Sequence, residues 1–458
     1  MSWTKKQKSA LIVVAVTSFL NPFLTSSVNL ALPTIETEFG MNAVSISWII
    51  TSYLLSSAIL LLPLGRWADF VGVTKIFRFG VLIFAATTLL CGFSTGGTYL
   101  IVARFLQGIG GAMTMSTGPA ILVSVFDSKQ RGKVLGISVS SVYLGLALGP
   151  FLGGVLTEQL SWRSIFYVSA FIGFIATVIS FLYLSKEVKT DQPKRINLSG
   201  SIIYAIALVV MIMGSSSIPS TLGWTMLIAG IGLLFLFFIV ESRAAFPAID
   251  TKLFTKNKLF TFSNLAALIN YSATYAIVFL ISLYLQQIKG LSPQKAGFIL
   301  LAQPLLMAIF SPVFGRLSDK VQPRYLATTG MSICTAGLVF FTFTNQSTPL
   351  YVIILLLVLM GFGFALFSSP NMNTIMSSVT RSQYGLASGI SATMRIVGQM
   401  VSMTIVTLFF SLYFGSSQVA SVSHTLFLKC MSISFWVFAA ICAVGIWFSF
   451  SRGNLNRE

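Results

Sequence analysis

Two arginines, Arg104 and Arg395, stand inside long apolar runs. A charge at the centre of a hydrocarbon layer costs at least about 2.5–3.5 kcal/mol on insertion scales, so both must face protein or water. Each is a candidate contact for a small molecule or for the group that couples to its movement; each reads equally as a donor to main-chain carbonyls. Ser18, Asn21, Thr25 and Asn29 recur at steps of three, four and four, which places them on one helix face. Asn264, Tyr271, Tyr275, Ser282 and Gln286 lie close to one stripe of another helix, and Gln303, Asn371, Asn373 and Gln399 add uncharged amides. Rings among amides suit a flat, partly polar ligand held by stacking and a few hydrogen bonds. Hydrogen bonding between helices accounts for such residues as well. Asn21, Thr25, Arg104, Tyr271, Tyr275, Gln303, Arg395 and Gln399 form the candidate substrate cavity.

Other chemistries find no residues. There is no Ser/His/Asp constellation, histidine cluster or carboxylate pair, and no phosphate-cradling loop of the P-loop type. Cys91, Cys334, Cys430 and Cys442 lie in or beside apolar runs without metal-ligand spacing and read as packing. His424 stands alone. No enzyme activity, cofactor or metal is expected. The eleven acids, Glu36, Glu38, Asp69, Asp127, Glu158, Glu187, Asp191, Glu241, Asp250, Asp319 and Glu458, all fall near span ends or in loops, so no mid-membrane carboxylate is expected.

The elements that must position these residues follow from composition. Of 458 residues 55% are hydrophobic and only 9% charged, against roughly a quarter charged in soluble domains. The solvent for such a chain is lipid. A crossing helix needs about 20 mostly apolar residues, and fourteen such runs centre on 9–31, 45–64, 76–95, 99–125, 134–156, 164–184, 199–217, 224–241, 259–285, 295–314, 325–343, 349–370, 385–413 and 427–450. Alternate breaks between them concentrate Lys and Arg, while the intervening breaks hold few. This is the positive-inside pattern, with both termini cytoplasmic. The net charge of +18 is therefore a topology signal, and no nucleic-acid partner is expected. Lys5, Lys6 and Lys8 begin an uncleaved first helix.

Gly65-Arg66-Trp67-Ala68-Asp69 after the second span echoes Gly315-Arg316-Leu317-Ser318-Asp319 after the tenth. Gly132, Gly136-Ile137-Ser138 and Gly145 echo Gly385, Gly389-Ile390-Ser391 and Gly398 at nearly the same offset. A duplicated unit follows. The offset exceeds six spans by about two, which predicts an all-α integral membrane protein of two six-helix halves, 1–190 and 257–458, with an inserted helix pair in 191–256.

These motifs carry a resemblance. Gly65 to Gly72 with Lys75, Arg104-Phe105-Leu106-Gln107-Gly108 with Gly110 and Gly111, Gly145-Leu146-Ala147-Leu148-Gly149-Pro150 with Gly153-Gly154, and Trp162-Arg163-Ser164-Ile165-Phe166 together resemble the major facilitator superfamily, in its fourteen-helix drug:proton antiporter branch. The resemblance covers nearly the whole chain. It implies the major facilitator fold and gating roles for Gly65, Asp69, Gly72, Asp319, Gly145, Gly149 and Pro150. Physically, Asp69 is placed to accept N–H groups at another helix's N-terminus, or it is a solvated loop acid. Gly145, Gly149 and Gly153 share one helix face as a packing seam, a hinge or both, and Pro150 bends it. One departure stands out: Thr25 occupies a position where many similar exporters carry an aspartate.

The function implied is secondary transport of a small amphipathic or aromatic molecule across the cytoplasmic membrane by a monomer, with efflux as the leading direction. The alternative is uptake of a neutral or anionic aromatic nutrient such as riboflavin, which arginines without buried acids fit better than cation export. The topology has a direct check. Single cysteines replacing Asp191 and Ser220 in a cysteine-free background are expected to label from opposite sides of the membrane; labelling from one side would remove the inserted pair.

Overall fold

The computed structural model describes residues 3–184, 198–244, 251–380 and 383–455. Among the described residues fourteen helices are long and apolar enough to span a bilayer. They are α1 (Lys5–Phe39), α2 (Ala43–Val71), α3 (Val73–Gly92), α4 (Gly97–Val125), α5 (Ser128–Gln159), α6 (Trp162–Tyr183), α7 (Leu198–Ser217) and α8 (Thr221–Arg243). Then come α9 (Lys258–Ile288), α10 (Pro293–Leu317), α11 (Pro323–Thr342), α12 (Leu350–Ser377), α13 (Tyr384–Phe414) and α14 (His424–Ser451). No strand occurs among the described residues, as expected where lipid offers backbone groups no partners. The polar breaks supply caps: Asn42 accepts from the Ser45 N–H at 2.7 Å, and Ser220 from Gly223 at 3.1 Å. Gly72 links α2 to α3 at φ 110°, a value that only glycine adopts without strain.

The packing repeats. Within the first six helices α1 lies on α5 and α6, α4 on α2 and α3, and α3 on α6; α9 on α13 and α14, α12 on α10 and α11, and α11 on α14 repeat that pattern. Across the two sets α2 meets α13, and α5 meets α10 as its counterpart. The pair α7 and α8 packs on itself and, through α7, on α2 and α13. Trp48 of α2 donates to Ser216 Oγ at 3.0 Å, and Ser411 of α13 donates to the Ser216 carbonyl at 3.2 Å. The inserted pair thus bridges one of two equivalent seams.

Hydrogen bonds between the halves gather at the end opposite the Lys/Arg-rich turns. Pro33 has no N–H, so the Asn29 carbonyl lacks its helical donor; Ser282 of α9 donates to it at 2.8 Å. Gln286, one turn on, reaches the Leu30 carbonyl at 3.2 Å, from a π-helical turn over Tyr284–Ile288. Ser47 and Thr407 meet at 2.8 Å. The N–H of Gln294 donates to Glu158 at 2.9 Å, and the N–H of Ala43 to the Ser417 carbonyl at 3.0 Å. Away from that end, Tyr143 and Ser368 meet at 3.1 Å.

Neighbouring glycines on α5 serve different contacts. A Cβ on Gly153 would lie 2.7 Å from Ser27 Cα of α1, inside the first half, whereas one on Gly154 would run into the Pro293 carbonyl of α10, across the seam. Gly153→Val is therefore expected to lower stability by about 1–3 kcal/mol, measured by thermal unfolding. Gly154→Val is expected to leave the melting temperature nearly unchanged and to lengthen the distance between spin labels at Leu160 and Lys289.

Candidate functional site

Glycines in α4 bring Arg104 to its place. A Cβ on Gly108 would strike Ser56 and the Tyr53 carbonyl of α2, and one on Gly110 would lie 2.7 Å from Phe84 Cα of α3. The helix consequently nests between its neighbours, and Arg104 is fully enclosed, at 0% exposure. Its Nε donates to the Ile49 carbonyl at 3.1 Å, its Nη1 to Gln107 Oε1, and its guanidinium stacks 4.6 Å from the centre of the Tyr53 ring. Gln107 passes the chain on to Thr88 at 2.6 Å. Tyr53 donates to Asn21 Oδ1 at 2.6 Å, and Asn21 donates to the Thr17 carbonyl at 2.9 Å and to Thr114 at 3.4 Å. Arg104 Nη2 is buried without an acceptor, and no carboxylate of the described residues pairs with the guanidinium.

Arg395 differs. It is half-buried, and among the described residues it makes no hydrogen bond or ion pair. Gln399 lies one turn further along α13, also half-buried. Three residues beyond Arg395 on α13, a Cβ on Gly398 would lie 2.8 Å from Tyr271 Cβ of α9. Tyr271 packs edge-on against Phe364 at 5.4 Å, and the buried hydroxyl of Tyr275 has no partner. Gln303 is buried with its Oε1 unpartnered. The two arginines, the unpartnered amide and hydroxyl atoms and the Tyr271 and Tyr275 rings thus lie on α4, α9, α10 and α13, helices of both halves.

Several expected members serve other contacts. The Thr25 hydroxyl is used by its own helix, donating to Asn21 O at 2.8 Å. Asn371 accepts from Arg452 at 2.6 Å and donates to Ser263 O at 3.1 Å, in a buried staple that also reaches Pro323 O. Asn373 donates to Asp319 at 3.2 Å and to Ser318 at 2.9 Å, so Asp319 ties α10 to α12 within one half and takes a side-chain amide there. The side chain of Asp69 lies outside the described residues. Gly65 has ordinary contact with Ser116, Gly145 and Gly149 abut α1, and the Pro150 carbonyl meets Gly297 of α10 across the seam. Trp162 and Arg163 bind Glu38, at 2.6 and 2.8 Å, which explains the Trp-Arg pair at the start of α6.

Tyr53 and Glu36 escaped the sequence reading. Tyr53 sits among short hydroxyl residues such as Thr51 and Ser56, which bond to carbonyls of their own helix and give no sign of a tertiary role. Glu36 reads as a loop acid, yet it is 0% exposed and receives donors from α9 and from the segment before α14.

The Major Facilitator Superfamily model matches residues 14–262 and 263–455. The riboflavin transporter RibZ of Clostridioides difficile is 32% identical over 449 residues, covering 96% of each chain. The multidrug resistance protein Stp of Mycobacterium tuberculosis is 28% identical over 407 residues, 87% of this chain and 73% of its own. A bacterial homologue of the human lysosomal transporter Spinster, solved inward-facing and unoccupied, shares the fold at a TM-score of 0.72 over 98% of both chains, with 15% identity. The chain belongs to the Major Facilitator Superfamily: it is a multi-pass membrane transporter of small molecules.

The two arginines separate experimentally. Arg104→Ala leaves the buried Gln107 Oε1 without its donor, and about 1–3 kcal/mol of stability is expected to be lost. Arg395→Ala is expected to change stability by no more than about 0.5 kcal/mol. Melting of the two purified variants checks this.

Proposed function

We propose that this member of the superfamily carries a planar aromatic molecule, neutral or acidic and of the flavin class, through a site between its halves centred on Arg395, Tyr271, Tyr275 and Gln399. The observation that carries this reading is the half-buried Arg395, which makes no ion pair among the described residues. Like charges meeting in a low-dielectric cleft repel strongly, so a cationic drug is disfavoured there and an acidic or electron-rich ring is favoured. Similarity to a riboflavin transporter over nearly the full length supports carriage of such a molecule. Similarity to a multidrug resistance protein supports the second reading, export of an amphipathic compound.

The distribution of Lys and Arg supports a cytoplasmic basic end with both termini inside. On that orientation the seam contacts close the outer end. Gly65, Asp69 and Gly72 at the α2–α3 turn, with Asp319 at its repeat, serve as gating elements at the inner end; Gly145, Gly149 and Pro150 set the α5 surface against which the outer end closes. The protein acts as a monomer on small molecules and binds no nucleic acid.

Accumulation measured in a strain lacking other pumps, with an ethidium-like cation and a flavin in parallel, tests the proposal. Flavin movement with little effect on the cation is expected, and Arg395→Ala is expected to weaken acidic flavins at least about tenfold, or 1.4 kcal/mol. Strong expulsion of the cation without flavin movement would overturn it in favour of ordinary drug export.

A further inference from the structure

Glu36 lies in the last turn of α1 and is 0% exposed. Gln287 Nε2 of α9 donates to its Oε2 at 3.0 Å, and the N–H of Val419, in the segment joining α13 to α14, donates to its Oε1. Both donors belong to the opposite half. They come to Glu36 only when the two halves are together at this end, beside the Ser282 and Gln286 contacts to the carbonyls of Asn29 and Leu30.

No cation stands among these partners. Of the charged groups on the surrounding elements, Arg163 of α6 holds Glu38, two residues along α1, at 2.8 Å. Lys289, at the end of α9, donates to the Gln346 carbonyl, and Lys295 of α10 lies beside Glu158. His424 and Lys429 occupy the first turns of α14, and neither makes an ion pair with Glu36. An ionised carboxylate taken from water without a cation carries a penalty of several kcal/mol, which amide donors offset only in part. A neutral carboxyl fits the same pocket. Its carbonyl oxygen accepts from Val419, and its O–H donates to the Gln287 amide oxygen once that amide turns over, a half-rotation that leaves its position unchanged.

We propose that Glu36 is the proton-binding group of the transport cycle, a titratable latch whose protonation holds this end shut and whose ionisation releases it. When the halves part here, water replaces the pocket and solvates the anion. Protonation and closure therefore favour one another by linkage. With this end facing outward, a proton taken from outside drives the protein toward the inward-open arrangement. The inference concerns opening alone and is independent of which molecule is carried.

The test reads opening directly, without substrate. Ser47 is fully buried and meets Thr407 across the seam, so Ser47→Cys in a full-length cysteine-free background reports separation through its rate of reaction with a membrane-impermeant thiol reagent, normalised to a free thiol at each pH. The normalised rate is expected to rise at least about fivefold between pH 5 and pH 8. Glu36→Gln, a neutral carboxyl mimic with an acceptor and a donor, is expected to label slowly and without pH dependence. Glu36→Ala, which loses both hydrogen bonds, is expected to label fast at every pH. Equal pH profiles for the parent and the Glu36→Gln variant would overturn the proposal, as would a parent profile that falls with pH. If Glu36→Ala fails to fold, the comparison of the parent with Glu36→Gln still decides, because a purely structural role moves the rate without altering its pH dependence.

Discussion

Inside a bilayer every polar group must find its partner within the protein, and this single constraint shapes each contact between the halves. Where a helix bends at Pro33, the Asn29 carbonyl has neither water nor a backbone donor to turn to. It is satisfied by Ser282 of the other half at 2.8 Å. Closing the halves at that end is thus the completion of a hydrogen-bond inventory that one half cannot complete alone. Opening it requires water to replace the lost donors, which ties the conformational equilibrium to solvent entry.

Duplication supplies the frame on which that equilibrium runs, and the inserted pair makes it unequal. The α2–α13 seam and its counterpart α5–α10 are equivalent by the repeat, but they are built from different chemistry. The α5–α10 seam brings backbones together, with Gly154 against the Pro293 carbonyl and Gly297 against that of Pro150, and adds the Glu158 carboxylate accepting from the Gln294 N–H. The α2–α13 seam closes through the Ser47 and Thr407 hydroxyls and is bridged from outside by Ser216 of α7, which takes hydrogen bonds from Trp48 and Ser411. A rocking motion that parts the halves must break the bridge on one side only. The inserted helices therefore bias which seam yields first.

The helices and their duplication were legible in the sequence because both are written in local signals: apolar length, proline and glycine punctuation, and repeated motifs. Residue roles were legible only where a local signal coincides with a tertiary one. Arg104 is an example, since a charge in an apolar run must turn from lipid toward protein or water. Asn371 shows the reverse: its amide reads as a cavity group, and it is consumed by Arg452, which itself reads as a cation of the last turn. Glu36 was least legible. Proximity to a span end suggests exposure, while the donors that bury it come from residues 287 and 419, far along the chain. No periodicity records such an encounter.

The contrast between the two membrane arginines follows from the same constraint. Arg104 spends its donors on Ile49 and Gln107 and its flat face on Tyr53, so it is neutralised by fixed dipoles and a ring rather than by an anion. Arg395 has no such fixed partners, and half exposure lets water serve in their place. A charge solvated by displaceable water is the one a ligand can claim, because the ligand's groups exchange for water instead of for protein hydrogen bonds. On the proposed function, discrimination among ligands falls to α13, on the half that lacks the Arg104 network.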